Sequence, residues 1–322
     1  MEVVITGGAG FLGQRLARSL LAKGALQDSS GTLRSIDKLI LVDMVPATGM
    51  TDPRVHAVAA DISDAGAEQV ITDRVGSVFH LAAVVSGQAE ADFELGMRIN
   101  LDASRLLLDL CRARGQGPRV LFTSSVAVYG GELPPVVQDH TALRPQSSYG
   151  AQKAIAELLL TDYSRKGFVD GRVVRLPTIS VRPGKPNKAA SSFASGIVRE
   201  PLNGIDSTCP VPPETRLWLL SPRRAVECLV AVHELDGKAL GTNRIVNLPG
   251  LSVSVQEMVD ALRRVGGEKA AAHVHWERDA TVERIVGGWP AAWDTKRAQD
   301  LGLSADNSFE EIVRAYVEDE LH

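Results

Sequence analysis

The sequence predicts an α/β fold, a doubly wound parallel sheet with a smaller mixed domain toward the C-terminus, and three observations carry that prediction. The chain opens with the apolar run Val3-Val4-Ile5, which turns through closely spaced glycines into the helix-forming segment 11–22. Short apolar runs then recur along the chain, most of them closing on an acid, a hydroxyl or an alanine pair and followed by a longer stretch compatible with helix. Strands buried on both faces and separated by helices produce this pattern, because neither side of such a strand meets water. Beyond Leu176 the composition shifts to a stretch rich in Pro, Ser and Asn (177–213) without helical periodicity, a candidate substrate-covering insertion.

The first strand and helix are joined by Gly7-x-x-Gly10-x-x-Gly13, the wider form of a dinucleotide fingerprint. A turn without Cβ atoms lets the backbone approach a pyrophosphate. The free amides and positive dipole end of a helix starting near Gly10 favour its charge. The second strand, Leu39-Ile40-Leu41-Val42-Asp43, closes on an acid. In such a fold this carboxylate faces the adenosine ribose, accepts hydrogen bonds from its hydroxyls and repels a 2′-phosphate, so Asp43 argues for NAD. Met44 and Val45 follow, with no arginine to receive a phosphate. The acid is expected about 20 residues after the glycines. Here it lies 30 beyond Gly13, which makes 27–38 an inserted surface loop.

A third strand, 55–60, ends at Asp61-Ile62 and puts Asp61 against the adenine amino group. The fourth, Ser77-Val78-Phe79-His80-Leu81-Ala82-Ala83, runs into small residues that let a cofactor pass close to the backbone. His80 has no second His or Cys at ligand spacing and reads as a structural histidine rather than a base. The stretch 89–115 is helical with an interruption near Gly96, and its Leu101, Leu106, Leu107, Leu108 and Leu110 cover more than one face. Ile155, Leu158, Leu159 and Leu160 do the same in 154–160. A helix apolar on two sides needs two things to pack against, and a sheet supplies one. The expectation is a homodimer through a helix bundle, with a crowded monomer core as the alternative.

The fifth strand, 119–125, ends in Thr123-Ser124-Ser125, and open sheets bind ligands beyond the carboxyl ends of their strands, which places Ser125 for chemistry. Tyr149 and Lys153 then stand at i and i+4 on one face of a helix running to about 165, with Cβ atoms roughly 5–6 Å apart. A free phenol titrates near 10, so a base working near pH 7 needs its ionised form favoured by about three units, or ~4 kcal/mol. A lysine ammonium and the positive ring of an oxidised nicotinamide can supply most of that. The remaining elements are a strand at 172–176, a helix over 217–235, a strand at 243–248, a capping box Ser254-Val255-Gln256-Glu257 opening a helix to 265, and a last helix over 309–320.

Together these residues, Gly7, Gly10, Gly13, Asp43, Asp61, His80-Leu81-Ala82-Ala83, Ser125 and Tyr149-x-x-x-Lys153, resemble an extended short-chain dehydrogenase/reductase over nearly the whole chain. The resemblance implies a Rossmann NAD-binding domain over 1–176, completed by about 217–248, and a substrate-binding cap from 177–216 and 249–322. It implies NAD contacts at Gly7, Gly10, Phe11, Leu12, Gly13, Asp43, Asp61, Ile62, Leu81, Ala82 and Ala83, and at Tyr149 and Lys153. Asn100, at the start of its helix, matches the family's asparagine, and Pro177 matches the proline near the carboxamide. Ser125 would orient the substrate oxygen, Tyr149 would be the acid/base, and Lys153 would lower its pKa and hold the nicotinamide ribose.

Within that family, dehydratases carry an Asp-Glu pair where Val126 and Ala127 stand, and neither of these moves a proton, which argues against dehydration. A nucleotide-sugar 4-epimerase shares the catalytic trio and would need to hold a uridine diphosphate beyond Pro177. That region offers Ser180-Val181-Arg182-Pro183-Gly184-Lys185-Pro186-Asn187, and a second basic pair follows at Arg223-Arg224. The runs 80–87, 175–184 and 216–224 are most similar to a branch that oxidises a four-carbon sugar acid at C2 with NAD. A guanidinium fork matches a carboxylate, though it also suits a diphosphate, and a single arginine can be mere surface charge. Arg182 is the first candidate for the carboxylate, with Arg175 or Arg223 next, and Ser86 is placed for a substrate hydroxyl. A non-catalytic NAD-sensing regulator is the remaining alternative. Such proteins commonly lack the Tyr/Lys pair, which is present here.

Bulk properties bound the partners. With 322 residues, a net charge of −4 and no long basic run, neither nucleic acid nor an anionic membrane is expected. No apolar run approaches the ~18 residues of a membrane span. Three scattered cysteines match no metal-ligand spacing, so no metal is expected. With the fingerprint starting at residue 3, the expected setting is the cytoplasm without a signal peptide.

Overall fold

The computed structural model describes residues 1–186 and 189–321. Its centre is a sheet of seven strands: β1 (Glu2–Thr6), β2 (Lys38–Asp43), β3 (Val55–Ala59), β4 (Val75–His80), β5 (Arg119–Ser125), β6 (Asp170–Leu176) and β7 (Ile245–Asn247). The order is β7-β6-β5-β4-β1-β2-β3, every neighbouring pair parallel. The order reverses between β1 and β4, and that switch point is where an open α/β sheet leaves a crevice.

Consecutive residues of these strands face opposite layers, which is why the runs are apolar throughout. Val3, Ile5, Leu39, Leu41, Phe79, Leu121 and Val174 pack with Leu16 and Leu20 of α1 (Phe11–Lys23) and Leu229 of the helix Pro222–Glu234. Val4, Ile40, Val42, Val78, Val120, Phe122 and Val173 pack on the other side with Leu107 and Cys111 of α2 (Ala103–Arg114) and Ala156 and Leu160 of α3 (Ser148–Arg165). The long spacing before Asp43 is filled by an insertion, as expected, but it is a hairpin rather than a plain loop. Ala25–Gln27 pairs antiparallel with Leu33–Ser35.

A second core is built on a three-stranded sheet, Leu251–Ser254, Arg216–Leu220 and Thr178–Ile179 in that order, packed with the helices Phe193–Leu202, Val255–Ala271 and Phe309–Glu320. The reading of 217–235 as helix is corrected here. Leu217, Trp218, Leu219 and Leu220 are buried strand residues, and the helix begins only at Pro222, capped by Ser221. The Ser254/Glu257 capping box is present, and its helix continues past 265 to Ala271 across a kink at Gly267 (φ 81°). The stretch 89–115 is more broken than expected: Ser86–Ala91, Phe93–Gly96, a π-helical segment Met97–Asp102, then α2. Asn100 therefore lies inside a widened turn and not at a helix start. Among the described residues no helix is long and apolar enough to cross a membrane, and no cluster of metal-ligating side chains occurs.

Candidate active site

The glycine turn is shaped by contacts that exclude side chains. Gly7 has φ +71°, and a Cβ there would lie 2.9 Å from Ala82 N. At Gly13 a Cβ would lie 2.2 Å from Gly7 O. Gly8, which the sequence reading passed over, is equally constrained, 2.7 Å from the Leu41 side chain. No side chain caps the start of α1, so the backbone amides at Phe11, Leu12 and Gly13 face an approach kept clear for an anion. Asp43 is pinned beside this turn, its carboxylate accepting from Ala9 N at 3.1 Å and from Met44 N at 2.8 Å. These features fit a dinucleotide.

Asp61 accepts from the Ser63 amide and hydroxyl and from Arg98 at 2.8 Å. Burial opposes its ionisation, but Ser63 and Arg98 outweigh that and hold the carboxyl below its usual value. Ile62, next to it, is buried. Asn100 accepts from Val84 N at 2.8 Å and donates to Val84 O and to Gln152 Oε1, so it clasps the segment that follows Leu81, Ala82 and Ala83. The π-helical segment aims that side chain, a common use of a widened turn.

His80 is a satisfied structural residue. Thr6 Oγ1 accepts from Leu81 N and Ala82 N, and its hydroxyl meets His80 Nδ1 at 2.6 Å. His80 Nε2 meets Ser104 Oγ at 2.9 Å, and Ser104 in turn donates to Asn100 O. Each hydroxyl has one proton, so the directions are fixed: Thr6 donates to Nδ1, and a neutral imidazole donates from Nε2. Burial, helped by the Lys153 charge, pushes the His80 pKa down to about 3, in agreement with the neutral form.

The three catalytic candidates meet beyond the end of β5. Ser125 Oγ accepts from Ala127 N at 3.2 Å and shares the pocket wall with the Tyr149 phenol, whose pKa it pulls down. The helix carrying Tyr149 is capped by Ser147 and sits hard on the turn Val126–Val128. A Cβ at Gly150 would lie 2.1 Å from Ala127 O. Lys153 Nζ donates to Thr123 O at 2.9 Å and lies 5.8 Å from the centroid of the Tyr149 ring. Burial pushes the Tyr149 pKa up to about 12, with Ser125 and the Arg182 charge pulling the other way. Burial also lowers Lys153 to about 7, with Glu157 opposing. For Tyr149 to act as a base near neutrality, cations must act on it together.

A pocket opens over this trio, walled by Ser86, Ser125, Tyr149, Pro177, Arg182 and Trp289, with Phe11 and Leu12 on the side of the glycine turn. Arg182 is held through its backbone, its amide donating to Ser195 Oγ and its carbonyl accepting from Arg199. Burial and Arg199 lower its pKa, Tyr149 opposes, and no carboxylate pairs with its guanidinium among the described residues. The other arginines are excluded from this role. Arg175 is clamped bidentate on Glu157 and donates to Tyr129, and Arg223 pairs with Glu318 and Asp319 at the surface. Asn187, the end of the basic run, lies outside the described residues.

The sequence reading missed Trp289, Ser191 and Ser124 as pocket residues. Ser124 carries a buried hydroxyl without a partner among the described residues, and its place in the Thr-Ser-Ser strand end was a usable signal. Trp289 arrives from a remote part of the chain with no motif around it.

Residues 3–214 match the family described as the NAD dependent epimerase/dehydratase family. The chain is 66% identical over 320 residues to the D-erythronate dehydrogenase of Cupriavidus necator, covering 99% of this chain and 98% of that one. It is 47% identical over 320 residues to the D-erythronate dehydrogenase of Haemophilus influenzae, covering 99% of each. Among solved structures, the nucleoside-diphosphate-sugar epimerase from Agrobacterium tumefaciens superposes with a TM-score of 0.93 at 45% identity, covering 100% of this chain and 94% of that one.

Proposed function

The chain belongs to the NAD dependent epimerase/dehydratase family, and we propose that it works there as an NAD-dependent dehydrogenase oxidising D-erythronate to 2-dehydro-D-erythronate. The names of the relatives at 66% and 47% identity support the substrate. The observation in the fold that carries the reading is Arg182, a half-buried guanidinium in the pocket wall beside Tyr149 that lacks a carboxylate partner among the described residues. A 2-hydroxy acid brings one.

NAD is held by the turn Gly7, Gly10 and Gly13 with the amides of Phe11 and Leu12. Asp43 binds the adenosine ribose, and Asp61 and Ile62 bind the adenine. Leu81, Ala82, Ala83, Asn100 and Pro177 complete its channel. When bound, it supplies the hydride acceptor and a positive charge near Tyr149. Ser125 orients the C2 hydroxyl, and Tyr149 Oη takes its proton as the C2 hydrogen leaves. Lys153 keeps positive charge near the phenolate and holds the nicotinamide ribose. Arg182 pairs with the carboxylate, and Ser86 binds a hydroxyl farther along the substrate.

The nucleotide is assigned to 1–176 with the later segment up to about 248, and the substrate to 177–216 and 249–322, with the strand Arg216–Leu220 on the cap side. Ile155 and Leu158 are exposed, with Leu159, Leu106 and Leu110 half-buried, which supports a homodimer through these helices. Light scattering at micromolar concentration tests this, and a monomer mass would refute it. A cytoplasmic setting suits three free, buried thiols; fractionation of the producing cell checks it, and an extracytoplasmic pool would refute it.

The description of the Agrobacterium structure favours a second reading, a nucleotide-sugar epimerase. Incubation with NAD and D-erythronate, and separately with UDP-glucose or UDP-galactose, separates the two. NADH formed from the acid supports the dehydrogenase. Interconversion of the UDP-sugars without net NADH would establish the epimerase instead. Failure of both would leave the NAD-sensing regulator.

A further inference from the structure

Glu157, on the helix that carries Tyr149 and Lys153, and Arg175, on the neighbouring strand β6, take no part in the steps above. Glu157 follows Tyr149 and Lys153 at i+8 and i+4, so the three share one face of α3. Its side chain is 0% exposed and is clamped by Arg175 of β6, Nε to Oε1 at 2.9 Å and Nη2 to Oε2 at 2.6 Å. Arg175 Nη1 donates to Tyr129, Tyr129 donates to Asn247, and Asn247 donates to Asp139. Burying such a pair costs desolvation, and an apolar pair of similar volume commonly packs as well or better. Packing alone therefore does not account for its presence one turn from Lys153.

We propose that Glu157, fixed by Arg175, is a positioning residue for Lys153: its carboxylate keeps the lysine an ammonium, so that Tyr149 faces a cation at working pH. The inference rests on the reading of Tyr149 as the base. Arg175 clamps both oxygens of the carboxylate, and the Glu157 charge still acts on Lys153 one turn away on the same helix face. Among the described residues, the other groups placed around the lysine are neutral or positive. Its own helix contributes Tyr149, β5 contributes Thr123 O and the Phe122 ring, and β4 contributes His80, which burial keeps neutral. Arg182 acts from across the pocket on Tyr149. Glu157 is thus the negative group that opposes burial at Lys153. Without it the lysine is neutral over more of the pH range, and Tyr149 stays protonated to higher pH.

The test is kcat/KM for D-erythronate oxidation against pH, in Glu157→Gln and in the double variant Glu157→Gln with Arg175→Met, which removes both buried charges together. The ascending limb is expected to move up by about one pH unit or more in both. That is a roughly tenfold loss near pH 7, regained in alkali. A folded variant with the wild-type limb would overturn the proposal. So would a double variant that regains the wild-type limb, because Glu157 would then matter only as the counter-ion of Arg175.

A measurement on the intact wild-type holoenzyme does not depend on either variant folding. With lysine labelled with ¹³C at Cε, and Lys153→Met to assign the signal, a Lys153 side chain that is neutral throughout pH 7 to 9 refutes the proposal, and an ammonium at pH 7 supports it. Tyr149→Phe distinguishes the two levels. If it remains active, the underlying reading falls. If it is inactive while the limb of Glu157→Gln stays put, only this inference falls.

Discussion

Replacing Arg182 with alanine should raise the KM for D-erythronate ten- to a hundredfold and also shift the pH profile. The first effect follows from the loss of a charged hydrogen bond to the carboxylate, worth about 1.5 to 3 kcal/mol, where ~1.4 kcal/mol is a factor of ten. The second follows from the Arg182 charge, which pulls down the Tyr149 pKa that burial raises to about 12. Without that cation the phenol ionises at higher pH, so the ascending limb of kcat moves up. The backbone of Arg182 is held by Ser195 and Arg199 independently of its side chain, so the pocket wall should keep its shape. The assay is initial NADH formation at saturating NAD across pH, with NAD affinity measured separately by calorimetry and expected to change little. An unchanged KM together with an unchanged profile would refute the reasoning. Neither Arg175 nor Arg223 offers a substitute, because both are already paired with carboxylates.

Tyr149→Phe should lower kcat by about 10² to 10⁴ while leaving NAD binding nearly intact; more than about a tenth of wild-type turnover would require a different base. Asp43 should favour NAD over NADP by well over tenfold in kcat/KM, and Asp43→Ser should relax that preference. Comparable wild-type efficiencies with both cofactors would refute its ribose role. Gly150→Ala drives a methyl into Ala127 O, 2.1 Å from the Cβ position, and must shift the helix that carries Tyr149 and Lys153. A loss of about 1 to 3 kcal/mol in chemical denaturation is expected with a fall in kcat, and a wild-type midpoint and turnover would show that the helix has slack.

The strands of the main sheet were legible because burial on both faces leaves continuous apolar runs, and Asp43 at the end of β2 was found despite its displacement by a hairpin. The same property misled the reading at Leu217, Trp218, Leu219 and Leu220. A short run without alternation does not distinguish a buried strand from one turn of helix, and the true helix start depended on Ser221 and Pro222. Asn100 was identifiable as a residue but not in its π-helical setting, which depends on Val84 and Gln152 across the fold. The sequence put Arg182 ahead of Arg175 and Arg223 but offered no means of excluding the other two. Which of them remains available to a substrate is decided by their carboxylate partners, Glu157, Glu318 and Asp319, and two of these stand about a hundred positions from the arginine they bind. Gly8 and Gly150 carry constraints that originate in Leu41 and Ala127, so neither has a local signature.

The thread from the Leu81 and Ala82 amides through Thr6, His80 and Ser104 to Asn100 O joins the tips of β1 and β4, where the strand order reverses. Neighbouring strands at such a point are free to splay, since their chains depart in opposite directions. Here each link has one assigned donor and one assigned acceptor, so neither tip can move without breaking a buried bond. The gap between the two strand ends is therefore a fixed dimension of the folded chain, like the jaw of a spanner, and a dinucleotide bound as proposed would meet a slot already cut to width. The opposite rim is supplied by later segments of the chain, which carry Arg182 and Trp289.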